Sequence, residues 1–316
     1  GYGKEEAIKL AEDFLDSINI KIDYVTVFAG DPSVPKDEES AAIWRELGVT
    51  DIREEGMDDV FWGPTGSAGP CGPTTEIYCK NAVGDDIEIW NIVFNEFFCS
   101  GSREELLAGK AQLKPLETKG IDTGMGLERL AMAAHGKNNI FETDLFRPLA
   151  AALDPALPER QKRIVSDHAR AAAFLIADGV RPSNKERGYI LRRLLRRAIV
   201  FHPGLMRLLE IVIREYGTFY PELEREKENI FSVVADEHGK FDRTLRHGLK
   251  ELDRMDAVDA AAAFRLYESY GLPYEVIKDY DGGRKAAELT REKFDEAFRK
   301  HQEISRAGAE AKFGGH

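Results

Sequence analysis

Phe61 to Ile77 (FWGPTGSAGPCGPTTEI) holds four glycines and three prolines in seventeen residues. Proline removes a backbone donor and fixes φ, glycine loses the most entropy on ordering, and neither helix nor strand interiors tolerate this density of both. The stretch is expected to be a shaped loop, so the regular elements must be built on either side of it. A surface linker is one role for it. A loop at a substrate site is favoured, because proline stiffens it, Trp62 opens it and strand-like residues follow at once.

A second glycine-bearing stretch, Lys119 to Leu130 (KGIDTGMGLERL), spaces Gly120, Gly124 and Gly126 ahead of a run that reads as a helix with Glu128 and Arg129 in its first turns. Glycine lets backbone approach a ligand, a helix start offers free N–H groups and a positive dipole end, and Arg129 adds a planar charged fork. That is the layout of a phosphate site. Asp122 has two readings, a helix N-cap or a carboxylate that pairs with a ligand ammonium. The dinucleotide fingerprint does not match, since it needs G-x-G-x-x-G after a strand.

Periodicity sets the architecture around these stretches. Glu5 to Asn19 and Lys36 to Leu47 repeat apolar residues at helical spacing, while Ile22 to Phe28, Thr75 to Cys79, Asp86 to Phe94 and Gln112 to Thr118 read as strands, expected to pair antiparallel. Trp44 is expected in the core. Asn91 falls in a run too apolar for a surface strand, so its amide needs partners from backbone or from a ligand. Past Gly136 the pattern turns helical: Asp144 to Leu153, Arg163 to Asp178, Tyr189 to Phe201, several segments from Leu205 to Asp256, Phe264 to Tyr270, and a polar tail from Arg291 to Phe313. His168 is expected to be an ordinary satisfied histidine. The class is α+β, a sheet with flanking helices over residues 1–140 and an all-helical domain over 141–316.

Charge is unevenly distributed. The net charge is -12, yet residues 1–60 hold 16 Asp/Glu against 6 Lys/Arg, and Arg181 to Val200 holds 7 Lys/Arg against one acid. On the helix from Tyr189, Arg192, Arg193, Arg196 and Arg197 share one face with Leu191, Leu194, Leu195, Ala198 and Ile199 opposite. Four arginines without an interleaved acid repel unless something anionic lies against them, which favours an RNA or phosphate contact. The three cysteines are too few and too scattered for a disulfide framework or a four-ligand metal site, and no run of about 18 apolar residues marks a membrane span. A cytoplasmic protein is expected.

Several of these segments resemble the catalytic part of bacterial-type alanyl-tRNA synthetases, a family of class II aminoacyl-tRNA synthetases. The resemblance rests on Trp62-Gly63-Pro64 through Gly69-Pro70-Cys71-Gly72-Pro73 to Glu76-Ile77, on Glu88 to Phe94 (EIWNIVF), on Ile121 to Arg129 (IDTGMGLER), and on Asp167-His168, Phe174 to Asn184 and Arg187 to Arg193. It implies the class II sheet for ATP and alanine, then a helical domain for the tRNA acceptor stem. Arg129 matches the arginine on ATP phosphate, with Gly124 and Gly126 beside it. Asp122 matches the acid that holds the alanine ammonium, and Asn91, Trp90 and Gly124 fall among the amino-acid contacts. Asn184 matches one residue that reads a G:U pair, and Glu268 stands where the other is usually Asp, with Arg181 and the four helix arginines as phosphate contacts.

The implied cofactors are ATP and Mg2+, and the implied partner is tRNA(Ala). The family's first two class II motifs, including an arginine for the ATP α-phosphate, and its editing domain have no counterpart here. The resemblance therefore implies alanine activation and transfer that is impaired in this chain alone, completed by a separate N-terminal chain or further domains. An inactive tRNA- or alanine-binding module, and a ligase passing alanine to another acceptor, stay open.

Overall fold

The computed structural model describes residues 2–300, and the chain divides into two compact units between Leu145 and Phe146. The first unit is built on β1 (Tyr24–Phe28), β2 (Ile52–Glu55), β3 (Phe61–Trp62), β4 (Gly69–Lys80), β5 (Asp86–Cys99) and β6 (Leu113–Met125). They order as β2-β1-β4-β5-β6, with β3 pairing on β4. Every pairing is antiparallel except β1 with β2. The expected antiparallel sheet is thus a mixed one. Its parallel edge strand, Ile-Arg-Glu-Glu, carries too little apolar alternation to announce itself.

One face of the sheet is covered by α1 (Lys4–Ser17) and α2 (Glu38–Glu46), and there the core forms. Ile8, Leu15, Ile43 and Trp44 pack against Val25, Val27, Ile77, Ile92 and Phe94. Trp44 is fully buried, and its indole donates to Thr75 Oγ1 at 2.8 Å, which donates in turn to the Thr26 carbonyl at 2.8 Å. The polar edge of the indole is thereby satisfied where it meets the sheet.

Both glycine-bearing stretches are more strand-like than their composition suggests. Only residues 63–68 of the Gly/Pro segment are loop, held by Arg103 of the short helix α3 (Arg103–Leu107), whose guanidinium donates to the Gly63 carbonyl at 3.1 Å. From Gly69 the chain is β4, and its ladder to β5 shifts register between Cys71 and Thr74, around Pro73. A register shift is where a strand can lose a donor without breaking. Lys119 to Met125 is the end of β6, and α4 (Leu127–Ala134) starts only after Gly126. The alternating glycines are therefore not a loop. Gly120 and Gly124 lie in strand backbone without positive φ, and what they supply is missing side-chain volume.

Among the described residues the second unit has helices and no strand. It comprises α5 (Arg147–Ala151), α6 (Glu159–Ala177), α7 (Glu186–Phe201), α8 (Leu205–Tyr216), α9 (Pro221–Arg225), α10 (Lys227–Arg254), α11 (Ala260–Tyr270), α12 (Tyr274–Asp279) and a helix over 291–300. The helix expected over 144–153 shrinks to the five residues of α5. The tail expected to Phe313 is helical to 300, and the rest of it lies outside the described residues. His168 is buried on α6, with Nδ1 3.4 Å from Asp167 Oδ2. Among the described residues no helix is long and apolar enough to cross a membrane.

The β4–β5 contact is tight enough to test. A Cβ added at Gly72 would sit 1.8 Å from the Phe94 carbonyl oxygen, which is backbone and cannot swing away. Gly72→Ala is expected to destabilise the first unit by about 3 kcal/mol, the upper range for forcing volume into a packed site. Chemical denaturation of the two proteins side by side measures it, and an unchanged midpoint would contradict the close approach.

Candidate functional site

The sheet face opposite the core carries a row of polar side chains set by strand register. Thr26 pairs with Glu76, Glu76 with Asn91, and Asn91 with Gly124, so these positions on four adjacent strands share one face. Glu76 is buried, and it accepts from Tyr78 Oη at 2.9 Å, from Thr26 Oγ1 at 3.3 Å and from Asn91 Nδ2 at 3.4 Å. Burial pushes its carboxyl above the ordinary carboxylate range, against those hydrogen bonds, and the nearby Glu88 adds to the rise.

Asn91 spends its amide donor on Glu76 and leaves its acceptor unmet. Among the described residues Asn91 Oδ1 is buried without a hydrogen-bond partner, as are Thr74 Oγ1 and Asn95 Oδ1 on the same face. Unmet buried acceptors are rare and ask for a ligand or water donor. Next to it, a Cβ at Gly124 would meet nothing within 4 Å, so space is open there. Asp122, two residues along β6, lies on the same face and is exposed, its Oδ1 accepting from the Thr123 amide at 2.8 Å. Of the two readings for Asp122 the helix cap is excluded, because α4 is capped by Gly126.

Arg129 reaches this region from the first turn of α4. The β5–β6 ladder ends at Trp90 with Met125, and beyond it Arg129 Nη1 donates to the Glu88 carbonyl at 2.8 Å and lies 3.2 Å from Glu88 Oε2. Its side chain is half exposed, and the first N–H groups of α4 carry no side-chain cap. Trp90 departs from the expected set. It packs edge-on to Phe14 of α1 at 5.6 Å, and its indole donates to Thr123 Oγ1 on the core face. The alternation that aims Asn91 at the polar row aims Trp90 away from it.

The second unit brings other expected residues together around a cavity of about 490 Å³. Asn184, in the turn before α7, and Glu268, in the last turn of α11, both line it, with Arg192, Arg193 and Arg196 of α7 and Lys240 and Thr244 of α10. Burial and the neighbouring Tyr189 push the Tyr267 hydroxyl up to about 12, so it stays protonated at neutral pH. Arg197 and Arg181 do not line this cavity. Arg197 lies 3.5 Å from Asp279 and Arg181 donates to Asn229 at 2.7 Å.

The anions expected against the arginine face are carboxylates of the chain. Arg196 and Arg192 stand 2.8 and 3.2 Å from Glu237, and Arg193 stands 4.0 Å from Glu275. Glu237 belongs to α10 and Glu275 to α12, so sequence distance hid them. Repulsion along α7 is relieved within the fold, and the arginine pattern alone does not demand RNA.

Comparison with known proteins gives the family directly. Residues 1–314 match the family model for tRNA synthetases class II (A). The chain belongs to the class II (A) tRNA synthetases. Relatives of this synthetase chain include the alanine–tRNA ligase of Treponema pallidum, 37% identical over 99% of the chain, and that of Borrelia hermsii, 35% identical over 99%. The enzyme of the same name from Thermotoga maritima is 35% identical over 97% of the chain. The chain spans 58% of the length of the Treponema protein and 39% of the Thermotoga one.

Glu76, Tyr78, Thr26 and Glu88 are not among the site residues expected from the sequence. The alternation of β4 and β5 carried the signal, but the bulge between Ile77 and Tyr78 that turns Glu88 to the same face is invisible in composition. Cys71 and Cys79 are buried thiols pushed up to about 12 and 11, which leaves them protonated and poor nucleophiles.

The raised carboxyl of Glu76 has a signed consequence. A group whose folded pKa lies above its ordinary value of 4.5 holds its proton more tightly when folded, so it opposes folding increasingly as pH rises past 4.5. The stability of Glu76→Gln relative to the parent is expected to grow as pH rises through that region and to level off above the raised value. Unfolding curves from pH 4 upward check it, and a pH-independent difference would contradict the burial argument.

Proposed function

We propose that this chain is the aminoacylation and acceptor-stem part of an alanine–tRNA ligase. Its sheet unit binds alanine and ATP and joins them as alanyl-adenylate, and its helical unit takes the acceptor stem of tRNA(Ala). The observation that carries the reading is the unmet Asn91 acceptor beside an exposed carboxylate, Asp122, at the open space over Gly124. An α-ammonium needs such acceptors and such room. The names carried by the relatives support the same substrate.

In this mechanism Asp122 and Asn91 hold the ammonium group, so the alanine carboxylate is presented to the α-phosphorus of ATP. The carboxylate oxygen forms the new P–O bond, and the bond to the departing pyrophosphate breaks. A terminal ribose hydroxyl of tRNA then attacks the alanyl carbonyl and releases AMP. No side-chain nucleophile takes part, and the chain acts by positioning and charge. Arg129 exchanges part of its contact with Glu88 for phosphate oxygens, which its half-exposed fork permits. Mg2+ supplies charge neutralisation on the phosphates when bound. Among the described residues no three His, Cys, Asp or Glu side chains cluster for a metal, and Mg2+ held on nucleotide phosphates would need only one or two carboxylates from the chain.

In the helical unit, Asn184 and Glu268 face the shallow minor groove of the acceptor stem, and Arg192 and Arg193 lie beside them at the cavity wall. Arg181 and Arg197 lie outside the cavity lining, and a phosphate contact by either would compete with its bond to Asn229 or its pair with Asp279.

A stable sulfamoyl analogue of alanyl-adenylate tests the activation half by calorimetry without requiring turnover. The chain is expected to bind it, and Asp122→Ala to weaken binding by about 10- to 100-fold, the scale of losing a hydrogen bond to a charged group. Asn91→Ala is expected to act in the same direction and Trp90→Phe to leave affinity nearly unchanged. Equal affinity for analogues of larger amino acids, or indifference to Asp122→Ala, would overturn the reading.

A further inference from the structure

We propose that Glu237 is a positioning residue that fixes the spacing of Asn184 and Glu268 through two arginines. The inference rests on the reading of the helical cavity as the acceptor-stem site. Glu237 sits on α10, 2% exposed, and one of its oxygens, Oε1, faces both guanidinium groups. Arg196 Nε donates to it at 2.8 Å, and Arg192 Nε lies 3.2 Å from it. The two arginines are one helical turn apart on α7, so this carboxylate is what lets both cations lie there partly buried.

Each arginine passes the constraint to one recognition residue. Arg192 Nη1 donates to Asn184 Oδ1, and its Nη2 donates to the Pro182 carbonyl at 3.1 Å. Arginine has donors only, so the Asn184 oxygen must face it and the Asn184 NH2 is turned outward as a donor. Arg196 Nη1 donates to the Gly271 carbonyl at 3.1 Å. Gly271 ends α11 in the left-handed region at φ 66°, and Glu268 occupies the turn just before it. A Cβ at Gly271 would lie 1.8 Å from Arg196 Nη1, so the arginine occupies the room that glycine leaves.

The outcome is that Asn184 is bonded to one of the arginines on the Glu237 oxygen, and the end of α11, which carries Glu268, to the other. A guanine amine and the acceptors beside it in an RNA minor groove present the pattern complementary to an amide donor and a carboxylate acceptor. Discrimination between base pairs depends on that spacing being held, whereas phosphate contacts tolerate slack.

The test measures binding of this chain to two short RNA hairpins that differ only in a G:U or G:C pair in the stem, at one fixed salt concentration. Glu237→Gln keeps the shape and removes the charge, and Arg196→Lys keeps the charge and removes the bond to Gly271. Both are expected to cut the G:U over G:C preference by about tenfold, the scale of one mismatched base pair. General weakening of the fold would lower both affinities together and leave the ratio alone. Amide hydrogen exchange is expected to quicken in both 182–185 and 268–272 of Glu237→Gln. Where the parent prefers the G:U hairpin, a preserved ratio in both variants would overturn the proposal, and so would exchange unchanged in either segment. If both segments loosen but the parent chain itself ignores the pair, the clamp stands and the acceptor-stem reading falls.

Discussion

The long ladder between β4 and β5 is the constraint on which the first unit depends. It brings Glu76 opposite Asn91, and it closes so tightly that Gly72 leaves no room for a side chain against Phe94. Strand alternation gives it two faces at once. Ile77, Ile92 and Phe94 face α1 and α2, and Glu76 and Asn91 face away. The bulge between Ile77 and Tyr78 then sets two core residues, Ile89 and Trp90, in succession, so that Glu88 returns to the polar side within reach of Arg129. Without it the arginine would meet a core residue.

Charge is handled differently in the two units. On the sheet, a buried Glu76 is surrounded by hydroxyl and amide donors and by no cation among its hydrogen-bond partners, which is why burial prevails over hydrogen bonding in its titration. In the helical unit, partly buried arginines stand against carboxylates from helices distant in sequence. Breaking such a pair strands a charge and costs about 3–5 kcal/mol, while forming it adds little net stability. The pairs are therefore better understood as fixing geometry than as holding the fold together.

Much of this was legible in the sequence, and the failures share one physical origin. Helices α1, α2, α6 and α7 follow apolar periodicity closely, and Trp44 and Asn91 stand where burial arguments put them. Composition misled where strand pairing overrode it. Pro73 and Gly72 are accommodated at a register shift, and Gly124 sits inside a strand with open space above it and no positive φ. The resemblance sets Trp90 beside Asn91 among the amino-acid contacts, whereas neighbours in a strand face opposite ways and Trp90 packs on the core side. The arginine face of α7 meets Glu237, 41 residues beyond Arg196, and only the tertiary fold shows which acid that is.

The two candidate sites use hydrogen-bonding capacity differently. On the sheet, rigid strands hold Asn91, Thr74 and Asn95 with buried valences unspent, and a rigid backbone can keep such groups apart where a mobile one would let them pair. In the helical unit Asn184, Arg192, Arg196 and Gly271 are tied to one another and to Glu237 across three helices, although Arg192 Nε is itself buried without a hydrogen-bond partner. A site that must grip a small charged molecule gains from unmet partners. A site that must measure the width and chemistry of a groove gains from side chains that neighbouring helices already hold in place.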